Sequence, residues 1–306
     1  MKKSKFLSLA SCVVMIFFTL GNTAQAQATR TWVSGVGDDA NPGSRTAPCK
    51  TFAGAISKTA PNGEIDALDP GGFGGVTITK AITLDGGGGQ NASILVSGTP
   101  AITINAGAND TVTIRNLSLN GVGSGTFGIN ILNAGTVNLE NCVIFGFTNQ
   151  GVNFAPTGIC KLQIKKCIIR ECATGCVLSQ PSSNTGSVTI VDSQLQDSLY
   201  GFRANDFTFA TLTGCTLSNH VNNGILAFSS SGATTVNVES CVAVFNGIYG
   251  VVSDGTNATI RISNVTSANN QFGLSSLLSG KILSYQNNKV AGNTTDGAPT
   301  GTITLK

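Results

Sequence analysis

The chain has 306 residues, of which only 11% are charged, and its formal net charge is +3. Lys2, Lys3 and Lys5 supply that excess, which leaves 15 basic side chains against 15 acidic ones. This balance lacks the basic surface that binds nucleic acid or anionic membranes, so we expect neither as a partner.

The N-terminus has the pattern of a secretory signal peptide. Three lysines lie within residues 1–5, an apolar run covers 6–20, and the small residues Ala24 and Ala26 follow. The run is shorter than the roughly 20 residues that span a bilayer, and a cleavage site follows it. We expect residues 1–26 to be removed and the mature chain to be secreted or periplasmic. No later run is apolar enough to span a membrane.

Residues 27–65 are predicted to be an opening segment with a short capping helix. The stretch KTFAGAISKTAPNG would place four residues on one helical face: Phe52, Ala55, Ile56 and Thr59. Pro61 and Gly63 would end that helix. Three polar residues before it are expected to hold turns: Asp38, Asp39 and Asn41. The helix would cover the open edge of the structure that follows.

The rest of the chain repeats with a period of 22 to 26 residues. One landmark is a glycine that precedes an apolar pair: Gly128, Gly151, Gly175, Gly201, Gly224, Gly250 and Gly273. A second is a residue at the centre of a short apolar stretch: Leu117, Cys142, Cys167, Ser193, Cys215, Cys241, Val265 and Asn288. Because both series recur at nearly the same spacing along the chain, they indicate a structural repeat.

Each repeat is rich in glycine and β-branched residues, which is typical of short strands joined by tight turns. One repeat makes one lap of a narrow coil, and laps would stack about 4.8 Å apart through parallel strands. No helical pattern separates the strands, and an antiparallel sandwich would not repeat one residue class at one phase. We predict an all-β fold, a single-stranded right-handed parallel β-helix of about nine coils over residues 66–306.

The repeated cysteines have three interpretations. We favour an inward column in which cysteine acts as a small hydrophobe. Zinc requires CxxC or Cys–His clusters, whereas the chain has no CxxC and His220 is its one histidine, so no metal site is predicted. Disulfides stay an alternative in an exported chain: Cys142 with Cys167, Cys215 with Cys241, or the better-placed Cys172 with Cys176.

A polar column is expected at the corner after each such strand. Its members share one phase of the repeat: Cys172, Ser198, His220, Asn246, Asn270 and Asn293. Stacked asparagines bond one another and the turn backbone. This placement favours His220 as a structural rung over a catalytic role.

The opening segment also carries a family resemblance. WVSGVGDDANPGSRTAPCKTFAGAI at 32–56 resembles the start of pectate-lyase-like β-helix proteins. With LDPGGFGGVTITKAI and the closing NTTDGAPTGTITLK, the chain is similar to secreted bacterial right-handed parallel β-helix repeat proteins. The resemblance implies this fold. That superfamily includes lyases, hydrolases, epimerases and non-enzymatic surface proteins, so the fold alone does not choose a function.

The best acidic cluster that the phasing predicts contains Arg170, Glu171 and Asp197, with His220 one lap later. A lyase of this fold needs acids that hold Ca²⁺ and a base such as Arg or Lys, and a hydrolase needs paired carboxylates. The same residues also fit a polar corner neutralised by an arginine, which we favour. We keep all four as candidate carbohydrate-binding residues.

Other charged and aromatic residues fall into columns. Cross-strand ion pairs are expected within two sets: Arg115, Glu140 and Lys165, and Lys166 with Asp192. Arg203 should face outward in a column without acids: Asn130, Asn153, Val177, Leu226, Val252 and Ser275. Aromatic rings precede several of the glycines, where they would stack on sugars or cover corners: Phe127, Tyr200, Tyr249 and Phe272.

Two functional classes follow from the sequence. We favour a non-catalytic polysaccharide-binding or cell-surface structural protein, because no complete catalytic set emerges. The alternative is a polysaccharide lyase or glycoside hydrolase. No cofactor is expected, except Ca²⁺ if the protein is a lyase. A polysaccharide or cell-surface glycan is the expected partner.

Overall fold

The structure, a computed structural model, describes residues 27–88, 92–182 and 186–304. Within them the chain winds into a right-handed parallel β-helix of about nine coils, with three parallel sheets and one short helix. The predicted fold class is confirmed. The predicted signal peptide at 1–26 lies outside the described residues. None of the described helical residues forms a segment long and apolar enough to cross a bilayer.

The strands, numbered β1 to β31 in chain order, form three sheets, and each coil passes from sheet A through sheet B to sheet C. Sheet A has twelve strands: β1 (Ala28–Val33), β2 (Thr59–Ala67), β5 (Ile82–Asp85), β8 (Thr111–Arg115), β11 (Thr136–Glu140), β14 (Cys160–Lys165), β17 (Gly186–Val191), β20 (Thr208–Thr213), β23 (Thr234–Glu239), β26 (Ala258–Ser263), β29 (Lys281–Ser284) and β31 (Gly301–Thr302).

Sheets B and C complete each lap. Sheet B has ten strands: β3 (Gly71–Gly72), β6 (Ala92–Leu95), β9 (Ser118–Asn120), β12 (Val143–Phe145), β15 (Ile168–Arg170), β18 (Gln194–Gln196), β21 (Thr216–Ser218), β24 (Val242–Val244), β27 (Thr266–Ala268) and β30 (Lys289–Val290). Sheet C has nine: β4 (Val76–Ile78), β7 (Ile102–Asn105), β10 (Ile129–Asn133), β13 (Gln150–Phe154), β16 (Gly175–Ser179), β19 (Tyr200–Ala204), β22 (Asn223–Phe228), β25 (Tyr249–Asp254) and β28 (Phe272–Leu277).

Alternation along the strands sends apolar side chains inward. In β14, Leu162 and Ile164 are buried while Lys161 and Lys165 are exposed. Each strand pairs in parallel register with the strand one coil on, so that buried residues stack on buried residues. Burying one such aliphatic side chain stabilises the fold by about 1.5 to 3 kcal/mol. The interior is therefore one continuous apolar column, and the outer faces of the sheets are available to solvent.

The corners turn through single residues in the left-handed region. Between sheets A and B these are, among others, Asn116, Asn141, Lys166, Asp192, Gly214, Ser240 and Asn264. Between sheets B and C they include Gly146, Glu171, Asp197, Asn219, Phe245, Asn269 and Gly292. Asn, Asp and Gly adopt this conformation most readily, which explains why they recur at these corners.

Helix α1 (Phe52–Ile56) is shorter than predicted. Thr59 pairs with Ala28 as the first residue of β2, and its hydroxyl lies 2.8 Å from that of buried Thr31. Pro61 lies within β2 and does not end the helix. The β1–β2 register shifts between Ala28 and Arg30, so that Pro61 has no strand partner there and its missing N–H is tolerated. Sheet pairing thus overrides the helical pattern.

The predicted turns of the opening segment are confirmed. The Asp38 carboxylate accepts a hydrogen bond from the Ala40 N–H at 2.9 Å, and the Asn41 amide donates to the Pro48 carbonyl at 2.9 Å. Asp39 accepts from the backbone N–H groups of Lys50 and Thr51 at 2.8 and 2.9 Å. Thr51 in turn caps α1. These polar side chains hold the cap against the first coils.

The inward cysteine column is also confirmed. Cys142, Cys167, Cys215 and Cys241 are each 1% exposed and occupy one phase of successive coils, with Ser193 completing the series. Each Sγ donates to the carbonyl two residues earlier, as Cys241 does to Glu239 at 3.2 Å. The eight cysteines that the structure describes are all buried free thiols.

One sequence landmark is wrong by a single residue. Gly175 pairs with Gln150, so Cys176 and not Gly175 is equivalent to Gly151. The Cys176 thiol fits the inward position because it is small and donates to the Ile169 carbonyl at 3.1 Å. Val177 consequently points inward and is buried, and the outward neighbour of Arg203 on this coil is Leu178.

Candidate functional site

The corner between sheets B and C brings three predicted site residues together. Arg170 ends β15 and forms an ion pair with Glu171, and its guanidinium lies 4.6 Å from the centre of the Phe145 ring. Arg170 pairs with Gln196, so Glu171 and Asp197 are equivalent corner residues one coil apart, as predicted. Both carboxylates line a shallow cavity of about 360 Å³.

His220 lies apart from those residues, inside the coil. Its side chain is 1% exposed, its Nδ1 accepts from the Ser198 N–H at 3.3 Å, and its Nε2 donates to the Leu195 carbonyl at 3.0 Å. Burial lowers the pKa of His220 to about 4. The imidazole is therefore neutral, and neither nitrogen is available to a ligand at the surface.

The predicted polar corner column is confirmed as a hydrogen-bonded ladder. The backbone N–H of each rung donates to the side chain of the rung on the next coil: Cys172 to Ser198, Ser198 to His220, His220 to Asn246, Asn246 to Asn270, and Asn270 to Asn293. These bonds satisfy backbone groups that a buried corner would otherwise leave unpaired. His220 is one rung of this ladder.

A second polar cluster, which the sequence reasoning missed, lies on the outer face of sheet A. We call Arg30, Glu64, Asp66, Asp85 and Arg115 the acid–arginine cluster. Arg30 contacts Glu64 at 2.9 Å and Asp66 at 3.1 Å, and Arg115 contacts Glu64 at 3.2 Å and Asp85 at 2.7 Å. The register places Asp66, Asp85 and Arg115 in one column. Tracing the predicted Arg115 column back by two coils would have reached both aspartates.

The carboxyl groups of this cluster differ in their ionisation. Burial and the hydrogen-bonded Glu64 carboxylate raise the pKa of Asp66 to about 7. Burial also disfavours the charged form of Asp85, but hydrogen bonds from Asn116 and Gly87 and the Arg115 guanidinium outweigh it and lower the Asp85 pKa. Of the three carboxyl groups, Asp66 therefore takes up a proton most readily.

The donor set fits a hard divalent cation. Glu64, Asp66 and Asp85 each offer a carboxylate oxygen, and these oxygens lie within 4.8 Å of one another. Oxygen ligands of this kind suit Ca²⁺. Arg30 and Arg115 now neutralise the same carboxylates, so a cation would compete with them.

Beyond the cluster, one outward column of this face is neutral and polar over seven coils, although charged residues such as Glu140, Lys161 and Lys165 lie in the columns beside it. We call one outward column on sheet A the polar column: Thr83, Thr113, Asn138, Gln163, Thr189, Thr211 and Asn237. The Asn138 amide donates to Thr113 Oγ1 at 3.3 Å, and the other side chains of the column are half-buried or exposed. The face thus presents hydroxyl and amide groups on successive coils.

The predicted cross-strand ion pairs are wrong, although their register is right. Arg115, Glu140 and Lys165 are direct neighbours in register, but Arg115 turns to Asp85 and Glu64, and Glu140 forms no ion pair within 4.0 Å with either neighbour. Half-buried Asp85 competes more strongly for Arg115 because a contact there is less screened by water.

Comparison with known proteins supports the fold. The family model described as a right handed beta helix region matches residues 75–208. The chain is similar to pectate lyase Pel9A at 14% identity and a TM-score of 0.67, over 90% of this chain and 80% of that one. It also matches the A-module of mannuronan C-5 epimerase AlgE4 from Azotobacter vinelandii at 12% identity and a TM-score of 0.47, over 80% of this chain and 91% of that one. No curated protein matches. By its coils, its three sheets and its likeness to Pel9A, this chain has the right-handed parallel β-helix fold.

Proposed function

We propose that this protein binds polysaccharide without cleaving it, along the outer face of sheet A. The polar column carries the proposal, because its groups recur about every 4.8 Å across the coils. Hydroxyl and amide side chains both donate and accept hydrogen bonds, which suits the hydroxyl groups of a glycan. Pel9A, a pectate lyase of similar fold, makes polysaccharides the first ligand class to test.

The candidate residues favour binding over catalysis. Arg170 is neutralised by Glu171, so it is a poor base. His220 is buried and uses both ring nitrogens within the fold. A general base must reach the proton that it removes, and buried His220 does not meet that condition.

The test of binding is retention on a panel of immobilised polysaccharides. The double variant Gln163→Ala with Thr189→Ala removes two neighbours from the polar column, and we expect it to elute earlier than wild type. Gln194→Ala, which removes an exposed glutamine from sheet B, is the matched control and should elute with wild type. If the double variant and the control are both retained as strongly as wild type, the proposed surface is contradicted.

A polysaccharide lyase is the second candidate, favoured by the three convergent carboxylates of the acid–arginine cluster. They would hold Ca²⁺ when it is bound and so draw an acidic sugar to the face of sheet A. The test is absorbance of unsaturated products from uronic-acid polymers, with and without Ca²⁺. Activity that Asp85→Asn abolishes and that Asp110→Asn, in an exposed loop, leaves intact would replace the non-catalytic proposal.

We also propose that the protein is exported, to the periplasm or beyond. The proposal is supported by the lysines, the apolar run and the small residues at 1–26. N-terminal sequencing of the mature protein should begin at Gln27 or Thr29. A mature N-terminus at Met1 would contradict it.

A further inference from the structure

The outer face of sheet C carries a cationic and aromatic surface that the proposed site on sheet A does not include. Arg203 projects from β19 between Leu178 and Leu226 of the neighbouring strands. Its guanidinium carbon lies 5.3 Å from the Tyr200 ring centre and 5.7 Å from the Phe228 ring centre. We call these five residues the arginine–aromatic patch.

The charge of Arg203 is uncompensated. Its Nε donates to Asn205 Oδ1 at 2.9 Å, and no carboxylate of the described residues lies within 4.0 Å of the guanidinium. Arg30, Arg115 and Arg170, by contrast, each form an ion pair. Arg45 and Arg261 also lack an ion pair within the described residues, but of these three arginines Arg203 alone lies over aromatic rings, and the structure gives its two Nη groups no partner among the described residues.

The surroundings of Arg203 restrict the kind of anion. Two aromatic rings lie close to the guanidinium and restrict its motion, which lowers the entropy lost when a ligand binds. The two rings and half-buried Leu178 offer apolar surface of the kind that packs on the C–H face of a sugar, whereas Leu226 is buried beneath the patch. Farther along the same face, Gln180 donates to Asn153 at 3.0 Å and Asn153 donates to Asn130 at 2.8 Å. Asn153 is buried, so Gln180 and Asn130 are the amides that a ligand beside the patch can reach.

We infer that the arginine–aromatic patch is a subsite for an anionic sugar residue, whose carboxylate or sulfate group binds the Nη atoms of Arg203. A planar guanidinium binds such groups through two parallel hydrogen bonds. The adjacent amides then bind hydroxyl groups of the next sugar. This inference rests on the proposed function and specifies its ligand: a polysaccharide with acidic residues that also contacts sheet C.

The experiment measures the affinity of the full chain for three oligosaccharides of equal length: a polyuronate, a sulfated glycan and a neutral glycan. The variants are Arg203→Gln, Arg203→Lys and Phe228→Leu. Arg45→Gln, which removes an exposed arginine of the opening segment, is the control for net charge.

We expect Arg203→Gln to weaken binding of an anionic oligosaccharide about tenfold, because hydrogen bonds to charged groups are stronger than those between neutral groups. Arg203→Lys and Phe228→Leu should weaken it less, and neutral binding should not change. The two anionic arms distinguish a carboxylate from a sulfate.

Several outcomes would overturn the inference. Equal losses for Arg45→Gln and Arg203→Gln would indicate general electrostatic attraction, and unchanged anionic affinity in Arg203→Gln would remove the subsite. A change in the mass measured by light scattering, without a change in sugar binding, would make the patch a self-association surface. If wild type binds neutral glycans alone, the subsite fails and the proposed function stands. If it binds no polysaccharide, both fail.

Discussion

His220 illustrates how a buried residue of catalytic type is used by the fold. The ladder at its corner needs an acceptor for the Ser198 N–H, and the neutral imidazole supplies one through Nδ1. On the next two coils Asn246 and Asn270 do the same work with an amide oxygen. The histidine is therefore interchangeable with asparagine in its hydrogen bonding, and two predictions follow from this equivalence.

The first prediction concerns stability at neutral pH. His220→Ala leaves the Ser198 N–H and the Leu195 carbonyl without their partner, and each buried unpaired group costs about 1 to 3 kcal/mol. We expect a loss of about 3 kcal/mol in the free energy of unfolding for alanine and a clearly smaller loss for His220→Asn. Equilibrium denaturation measures both. Equal losses for the two variants would show that cavity formation, not hydrogen bonding, decides the effect.

The second prediction concerns the pH dependence of stability. Burial lowers the pKa of His220 from 6.5 to about 4, so between these values the unfolded state binds more protons than the folded one. The contribution of His220 is fully present above pH 6.5 and declines as the pH falls towards 4. The loss approaches about 3 kcal/mol at about 1.36 kcal/mol per pKa unit.

Denaturation series for wild type and His220→Asn between pH 4 and pH 7 isolate this contribution, because every other titrating group is common to both. We expect the stability of the asparagine variant to fall less steeply with acidification. Parallel curves would mean that the histidine does not titrate differently on folding.

At the scale of elements, the capping helix depends on a side chain outside it. Helix α1 has five residues, too few to be stable alone. Asp39 binds the backbone at Lys50 and Thr51 and also receives the Thr51 hydroxyl at 2.8 Å, which holds the N-cap in place. Burial opposes its ionisation, but these hydrogen bonds outweigh it and lower the pKa of Asp39.

The third prediction is that Asp39→Ala loosens this cap. Loss of the three hydrogen bonds should lower stability by about 2 kcal/mol, within the range measured for capping residues. Amide hydrogen exchange should accelerate at Phe52, Gly54 and Ala55. Asp38→Ala, which removes one hydrogen bond to Ala40, is the matched control and should have a smaller effect. If amide hydrogen exchange is unchanged in Asp39→Ala, the helix is held by its apolar contacts and not by Asp39.

At the scale of the whole molecule, stability is distributed along a one-dimensional stack. Ile190 lies in register between Ile164 and Leu212, with an apolar neighbour on each side. Ile282, near the C-terminal end, pairs with Ile260 on one side, and on the other its N–H donates to the Thr300 hydroxyl. In such an array the contribution of a coil depends on its nearest neighbours.

The fourth prediction compares these two positions. Both side chains are fully buried, so the lost transfer free energy is the same. We expect Ile190→Ala to lower the free energy of unfolding by about 4 kcal/mol and Ile282→Ala by about 2 kcal/mol, the two ends of the usual range. The terminal coil can adjust around the smaller side chain, whereas a central coil is held from both sides. Equal losses would contradict a nearest-neighbour description.

The period of the repeat determined the fold, the inward cysteine column and the corner ladder. These could be predicted because parallel strands pair in register, and residues at one phase become neighbours on successive coils. The same rule correctly placed Glu171 beside Asp197. The rule failed at Gly175, which lies one position before the residue equivalent to the other landmark glycines. The strand pairing shows that the equivalent residue is Cys176.

The tertiary structure alone decided which charges meet. Arg30 precedes the repeat and contacts Glu64 and Asp66 across a register shift, so the period of the sequence, which places Asp66, Asp85 and Arg115 in one column, does not predict that Arg30 joins them. Arg203 was expected to face outward, but its position between Tyr200 and Phe228 depends on side-chain conformation. Backbone periodicity determines which positions are neighbours, whereas long charged side chains select their partners among several neighbours by local burial and geometry.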